Sequence, residues 1–187
     1  MITLDKAKAA KTRGGVGTRP EFERGETYYP RMTNDPIAPD LEVTRVLAAS
    51  PQQIWSAWVD SDAIAYWWGP DGFTSTVREL DLRDGGRFDV VMHGPDGARY
   101  ENVYLFEDVE VDKRVAYLHQ GSEEHGLAPS RSTMIIEEED ADAPRTRVTL
   151  RSFYASDADR KRHLEDFQAA AGASQLLERL ERVAIQG

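Results

Sequence analysis

The most constraining feature of the sequence is a series of short strand-like segments, separated by turn residues, that leads into one amphipathic helix. Leu41–Val46 alternates apolar and polar residues with a period of two, which is typical of a half-buried strand. Residues 83–86 (Arg-Asp-Gly-Gly) and 94–97 (Gly-Pro-Asp-Gly) favour tight turns. Strands at this spacing with short connections predict an antiparallel meander. Its six predicted strands are Thr74–Asp81, Arg87–His93, Arg99–Val111, Arg114–Gln120, Ser130–Glu138 and Arg145–Phe153.

Two short helices are predicted between the first strand and the meander. Ser50 can cap the first helix, Pro51 suits its first position, and Gln53 can reach back to complete a capping box. Asp60 caps the second helix, which residues 69–70 (Gly-Pro) terminate.

A long closing helix is predicted from Ser156 onward. Acidic residues in its first turn suit the helix dipole. Apolar residues then recur at helical spacing and form one face: Phe167, Ala170, Ala173, Leu177, Leu180 and Ala184. A sheet with one face to cover and one long helix predict a two-layer α+β domain, in which the sheet curls around the helix.

Composition narrows the class of protein further. The chain has 187 residues, no cysteine and no apolar run long enough for a membrane helix, so we expect one soluble, cytoplasmic domain. Residues 1–31 carry a balance of +3, which leaves −13 for residues 32–187 from the total of −10. So acidic a body repels phosphate backbones, and nucleic acid and membrane partners are not expected.

Residues 1–40 lack periodicity and are rich in glycine and proline, so we interpret them as an irregular leader before a domain at 41–187. Met32 begins a segment that would serve as a natural start, which favours reading residues 1–31 as an upstream extension. The alternative is a functional arm in which Tyr28 and Tyr29 pack onto the domain or a partner.

Several motifs together resemble one known family. They are Ser50-Pro51, Ile54-Trp55-Ser56-Ala57-Trp58, Asp60, Tyr66-Trp67-Trp68-Gly69-Pro70-Asp71-Gly72-Phe73, Asp81-Leu82-Arg83, Gly85-Gly86, residues 91–97 and residues 175–180. The domain resembles the helix-grip (START-like, SRPBCC) superfamily, and within it the bacterial relatives of the C-terminal domain of the activator of heat-shock-protein-90 ATPase. The resemblance implies a seven-stranded antiparallel sheet wrapped around the C-terminal helix, with a cavity between them.

The predicted site is this cavity. Family members often carry a large aromatic residue where this chain has Ala173, and that departure leaves volume unfilled opposite the sheet. Plain core packing is the competing interpretation for each residue. The sequence does not determine which face of the strand Tyr100–Phe106 points inward, because residues 103–106 are apolar on both faces. The candidate lining residues are Trp55, Trp58, Trp67, Trp68, Phe73, Phe88, Val90, Met92, Asn102, Tyr104, Met134, Ile136, Val148, Leu150, Phe167, Ala170, Ala173 and Leu177.

No catalytic residue, metal site or cofactor is predicted. The four histidines, at positions 93, 119, 125 and 163, lack the spacing of a helical zinc motif, and we expect them on the surface or in loops. Nucleophile elbows, Walker loops and dinucleotide fingerprints are absent. The acidic run Glu137–Asp140 is expected to be a solvated face. Asn102 and Tyr104 can supply polar handles inside an apolar pocket.

The function expected from these observations is binding of a small apolar or aromatic molecule by a monomer or homodimer that acts as a carrier or sensor. The alternative is a cyclase, aromatase or isomerase that uses the same cavity. A chaperone-interaction module is less favoured, because residues 1–40 are too short and irregular to supply the additional N-terminal domain found in chaperone activators. Polar groups that converge in the pocket would favour catalysis, whereas a wholly apolar lining would favour binding.

Overall fold

The computed structural model describes residues 38–140 and 142–186. Of the predicted leader, residues 1–40, only the last three are described. The proposed arm with Tyr28 and Tyr29 and the proposed natural start at Met32 therefore lie outside the described residues. The elements are β1 (Leu41–Leu47), α1 (Pro51–Val59), α2 (Ser61–Trp67), β2 (Thr74–Leu80), β3 (Arg87–His93), β4 (Arg99–Glu110), β5 (Arg114–His119), β6 (Ser130–Asp140), β7 (Arg145–Tyr154), α3 (Asp157–Lys161), a π-helical turn (Arg162–Asp166) and α4 (Ala169–Ala184).

The seven strands form one antiparallel sheet in the order β1-β7-β6-β5-β4-β3-β2. Strands β2 to β7 follow one another as a meander, and β1 pairs with β7 to complete the other edge. The sheet curves around α4, and α1 and α2 cover part of the same face. The predicted α+β helix-grip fold is confirmed.

The predicted helix caps are present. The backbone N–H of Gln53 donates to Oγ of Ser50 (3.2 Å), and the N–H of Ser50 donates to Oε1 of Gln53 (2.9 Å), which completes the capping box. Oδ1 of Asp60 accepts hydrogen bonds from the N–H groups of Asp62 (2.8 Å) and Ala63 (3.3 Å) at the start of α2. These local contacts fix the first turn of each short helix.

The single closing helix expected from the sequence is wrong in one respect, because it is interrupted. The N–H of Phe167 donates to the carbonyl of Arg162 (3.2 Å), and Gln168 then adopts a left-handed conformation (φ 48°) before α4 begins. α4 therefore begins only at Ala169, which places Ala170 in its first turn. Ala170, predicted to face the sheet, is exposed, whereas Ala173 is buried against it.

The core is densest where the first two helices meet the sheet. Trp58 is fully buried, and its indole N–H points to the sulfur of Met134 (3.3 Å). Its ring lies 4.9 Å from that of Trp67 and 5.3 Å from that of Trp68. Trp67 in turn donates to the carbonyl of Ala57 (2.9 Å), so two tryptophans are buried with their N–H groups directed to acceptors.

Across residues 38–140 and 142–186, every helix is too short or too polar to cross a membrane.

Candidate functional site

A cavity of about 250 Å³ lies between the sheet and the first half of α4. It opens to solvent on one side, where Phe167 is 42% exposed. Strands β4 to β7 form its floor, and the segment between β7 and α4 forms one rim. Its lining residues are Leu41, Trp68, Gly69, Pro70, Met92, Asn102, Tyr104, Tyr117, His119, Leu127, Ser130, Ser132, Leu150, Ser152, Tyr154, His163, Phe167, Ala169, Gly172, Ala173 and Leu176.

The floor of the cavity is polar because of the register of the strands. One row across the sheet pairs Tyr104 with His119, His119 with Ser130, and Ser130 with Tyr154. The next row runs Tyr117, Ser132, Ser152 and Leu41. All of these side chains line the cavity. Inward positions recur every second residue along a strand, so the register alone brings these polar side chains together.

Further along the same strands the inward residues are apolar. Val115 pairs with Met134, and Ile136 pairs with Val148, while Leu150, the partner of Met134 on β7, lies at the boundary with the cavity. These rows pack against Trp58, Trp67 and the second half of α4. We call this region the filled half. The cavity with its polar floor is the open half.

Asn102 and His119 form a fixed pair in the open half. The amide nitrogen of Asn102 donates to the carbonyl of Tyr100 (2.9 Å), and its Oδ1 lies 3.1 Å from Nε2 of His119. A carbonyl only accepts, so the amide atom that faces Tyr100 is nitrogen and the atom that faces His119 is oxygen. Nε2 of His119 must therefore carry a hydrogen and donate it.

Burial keeps His119 neutral. Desolvation, with a smaller contribution from nearby His163, lowers its pKa to about 4. A neutral imidazole with hydrogen on Nε2 has a bare lone pair on Nδ1. That nitrogen has no hydrogen-bond partner among the described residues. The open half thus contains a histidine that acts as a hydrogen-bond acceptor.

The tyrosines of the open half stay protonated. Burial raises the pKa of Tyr104 to about 12, and burial together with the nearby Asp40 carboxylate raises that of Tyr154 to about 12. Burial also raises the pKa of Tyr117. The ring of Tyr104 lies 5.0 Å from that of His119. At neutral pH these hydroxyls are hydrogen-bonding groups and carry no charge.

His163 lies on the rim, in the π-helical turn. Its ring stacks on Tyr154 at 4.4 Å, and its buried Nε2 has no hydrogen-bond partner within residues 38–140 and 142–186. Burial lowers its pKa. The guanidinium of neighbouring Arg162 donates to the carbonyl of Gly126 (2.8 Å), which connects this turn to the loop before β6. The rim is therefore held by a stacking contact and a hydrogen bond.

Small residues of α4 form the wall opposite the sheet. Ala169, Gly172, Ala173 and Leu176 lie on the cavity side of the helix. A Cβ added to Gly172 would meet nothing nearer than the Cβ of Pro70 at 4.0 Å, so close packing does not require glycine there. Glycine within a helix costs about 1 kcal/mol relative to alanine. Gly172 therefore lowers helix stability at a position that faces open space.

Arg179 holds the opposite rim. From the middle of α4 its guanidinium donates to the backbone carbonyls of Tyr66, Gly69 (3.2 Å), Pro70 and Phe73 (3.0 Å). These carbonyls belong to the end of α2 and the loop that follows it. Gly69 and Pro70 line the cavity, so this one side chain fixes the loop against the helix and shapes the cavity edge.

The structure brings seven of the predicted lining residues to the cavity. They are Trp68, Met92, Asn102, Tyr104, Leu150, Phe167 and Ala173. It also settles the open question on β4: Asn102, Tyr104 and Phe106 point inward, whereas Glu101 is exposed.

The other predicted residues do not border the cavity. Most belong to the core of the filled half or its surroundings, where they pack against one another: Trp55, Trp58, Trp67, Phe88, Val90, Met134, Ile136, Val148 and Leu177. Phe73 instead packs on the ring of Tyr100 (5.7 Å), and Ala170 faces solvent. Whether any lining residue contacts a ligand stays a prediction.

Sequence reasoning missed most of the polar floor. His119 was expected on the surface or in a loop, and that expectation is wrong, because only 8% of it is exposed. Strand alternation could have placed His119 on the same face as Tyr117, and Ser130 and Ser132 on the face of Met134. Serine and histidine are common on solvent faces, so nothing in the sequence marks these as inward-facing.

The cavity lining contains no charged side chain among the described residues. Within residues 38–140 and 142–186, three or more potential metal ligands do not converge anywhere.

The curved sheet, the two short helices and the cavity against α4 define a helix-grip domain. The chain belongs to the family described as Activator of Hsp90 ATPase homolog 1-like protein, whose model matches residues 48–184.

Solved structures agree with this assignment. Protein Ms6760 from Mycobacterium smegmatis is 28% identical, with 76% of this chain and 88% of that one covered and a TM-score of 0.66. A protein from Arthrobacter aurescens is 22% identical, with coverages of 78% and 86% and a TM-score of 0.68. The AHSA1 protein from Silicibacter pomeroyi is 23% identical, with coverages of 79% and 99% and a TM-score of 0.61. A search of curated proteins found no match.

Proposed function

We propose that this protein binds a small, uncharged, largely aromatic molecule in the open half, as a carrier or sensor in the cytoplasm. The observation that carries the proposal is the wall of small residues on α4. Gly172 and Ala173 leave open space that the fold does not need for close packing. Glycine lowers the stability of a helix. A glycine on the helix face that borders a cavity is therefore expected where the cavity binds a ligand.

The size and lining of the cavity indicate the kind of ligand. A cavity of roughly 150 Å³ holds benzene, so 250 Å³ accommodates about ten non-hydrogen atoms. Trp68, Tyr104, Tyr117, Tyr154 and Phe167 offer ring surfaces. A charged ligand would lose its hydration without gaining a counter-ion from the described lining. A neutral aromatic molecule matches these conditions.

The proposal is tested by filling the cavity. Native mass spectrometry of the freshly purified chain should show a bound small molecule that is lost on denaturation, or uptake of one from a library of neutral aromatics. Ala173→Trp should abolish the binding. Ala170→Trp is the matched control, since it lies on the exposed side of the same helix and should bind as the wild type does. Equal binding by both variants would place the ligand elsewhere.

An enzyme of the cyclase or isomerase type is the second candidate, because His119, Tyr104 and Tyr154 face one cavity. A histidine with a pKa of about 4 is a weak base at neutral pH, which favours the binding role. Turnover of a bound ligand, observed as a changed mass after incubation and lost in His119→Phe, would establish the enzyme instead.

A further inference from the structure

In the open half, the neighbours of His119 fix which of its ring nitrogens can accept a hydrogen bond. The carbonyl of Tyr100 orients the amide of Asn102, and that amide requires hydrogen on Nε2 of His119. Because burial keeps the ring neutral, Nδ1 can only accept. Tyr100 and Asn102 thus fix the tautomer of His119, which borders the cavity, and leave Nδ1 as its unpaired ring nitrogen among the described residues.

The groups around His119 indicate the shape of a ligand that could reach it. Ser132 and Ser152 hydrogen-bond each other (2.8 Å), so these two hydroxyls already have a partner. The ring of Tyr104 lies 5.0 Å from that of His119 and provides an aromatic surface beside the acceptor. The opposite wall, with Ala173 and Leu176, is apolar. A ligand that fits has an apolar aromatic body and a donor at one end.

We propose that the ligand is a neutral aromatic molecule bearing a hydroxyl group, and that this hydroxyl donates its hydrogen to Nδ1 of His119. The inference rests on the proposed binding function and names its ligand class. It narrows the small apolar or aromatic molecule expected from the sequence to a phenol-like one. A ligand with a methyl group in place of the hydroxyl would leave Nδ1 unpaired, which costs about a factor of ten in affinity.

The test compares two probes of equal size, 2-naphthol and 2-methylnaphthalene, by calorimetry on the full chain at pH 7.5. We expect 2-naphthol to bind about ten times more tightly, although 2-methylnaphthalene is the more hydrophobic. In His119→Phe the two affinities should become equal. The control His93→Phe should keep the preference, because His93 contacts Thr76 (3.0 Å) and lies outside the cavity.

A measurement on the unmodified protein covers the case in which His119→Phe does not fold. The ¹⁵N resonance of Nδ1 in His119 should move when 2-naphthol binds and should stay in place with 2-methylnaphthalene. Equal binding of both probes to the wild type would overturn the phenol inference and leave the cavity function standing. Failure of both probes to bind at millimolar concentration would overturn the two together.

Discussion

The filled and open halves of the same groove differ in what faces the sheet. In the filled half, fully buried tryptophans cover Met134 and its neighbours, and Leu177 and Leu180 of α4 are fully buried. In the open half, α4 offers Gly172 and Ala173 to a floor of serines, tyrosines and His119. One half stabilises the domain by burying apolar surface, and the other leaves volume next to hydrogen-bonding groups. The core that stabilises the domain and the site proposed for ligand binding therefore lie in different parts of one groove.

The largest effect on stability is expected from truncating a core side chain of the filled half. Trp58→Ala removes a fully buried ring that contacts two other tryptophans, and should lower the free energy of unfolding by about 3–5 kcal/mol. Urea denaturation followed by circular dichroism measures this. Trp55→Ala, at a partly exposed position of the same helix, should cost much less. Equal losses would contradict the assignment of stability to the buried cluster.

The next effect is a dependence of stability on pH that originates in the open half. The pKa of His119 is about 4 when folded and about 6.5 when unfolded, so the unfolded chain binds the proton more tightly. Its contribution to stability is therefore complete above about pH 6.5 and is lost as the pH falls toward 4. Between pH 7.5 and 5 the loss should be about 2 kcal/mol.

This pH effect is measured by urea denaturation of the wild type and His119→Gln at the two pH values. The variant should lose about 2 kcal/mol less than the wild type on acidification. His93→Gln, outside the cavity, should behave as the wild type does. The groups around His119 are Asn102, Tyr104 and His163, with no charged side chain in the described lining. An unchanged pH profile in His119→Gln would show that another group causes the effect.

A smaller effect is expected at the rim shared by the two halves. Arg179→Met removes the donor that serves the carbonyls of Tyr66, Gly69, Pro70 and Phe73. These carbonyls remain near solvent, so the loss of stability should be about 1–2 kcal/mol. Ligand affinity should also fall, because Gly69 and Pro70 border the cavity. Arg182→Met, which removes only one long ion pair to Asp71 (3.4 Å), is the control and should change neither quantity.

The smallest effect has the opposite sign. Gly172→Ala should raise the free energy of unfolding by about 0.5–1 kcal/mol, since alanine favours the helix and its Cβ meets nothing nearer than 4.0 Å. The same change narrows the open half and should weaken ligand binding. Thermal denaturation and calorimetry measure the two quantities. A stabilised variant with undiminished affinity would separate Gly172 from the binding site.

Much of the fold could be predicted from local signals. The turn residues, the capping box at Ser50 and the alternation in the strands each act over a few residues, so they can be read directly from the chain. The break at Gln168 could not be predicted in this way. No glycine or proline marks it, and the tertiary contacts of His163 with Tyr154 and of Arg162 with Gly126 lie around it.

Only part of the candidate site could be predicted from the sequence. Ala173 was singled out because members of the resembled family often carry a large aromatic residue at that position. The pairing of His119 with Asn102 and the row that continues through Ser130 to Tyr154 depend on strand register, which connects residues far apart in sequence.

The sequence by itself therefore determined the strands, turns and capped helices, because those follow from local backbone preferences and periodicity. Only the tertiary structure decided which polar side chains meet, which tautomer His119 adopts and which half of the groove stays open. Those outcomes depend on register, burial and the volume left between packed elements, and none of these is a property of a short stretch of chain.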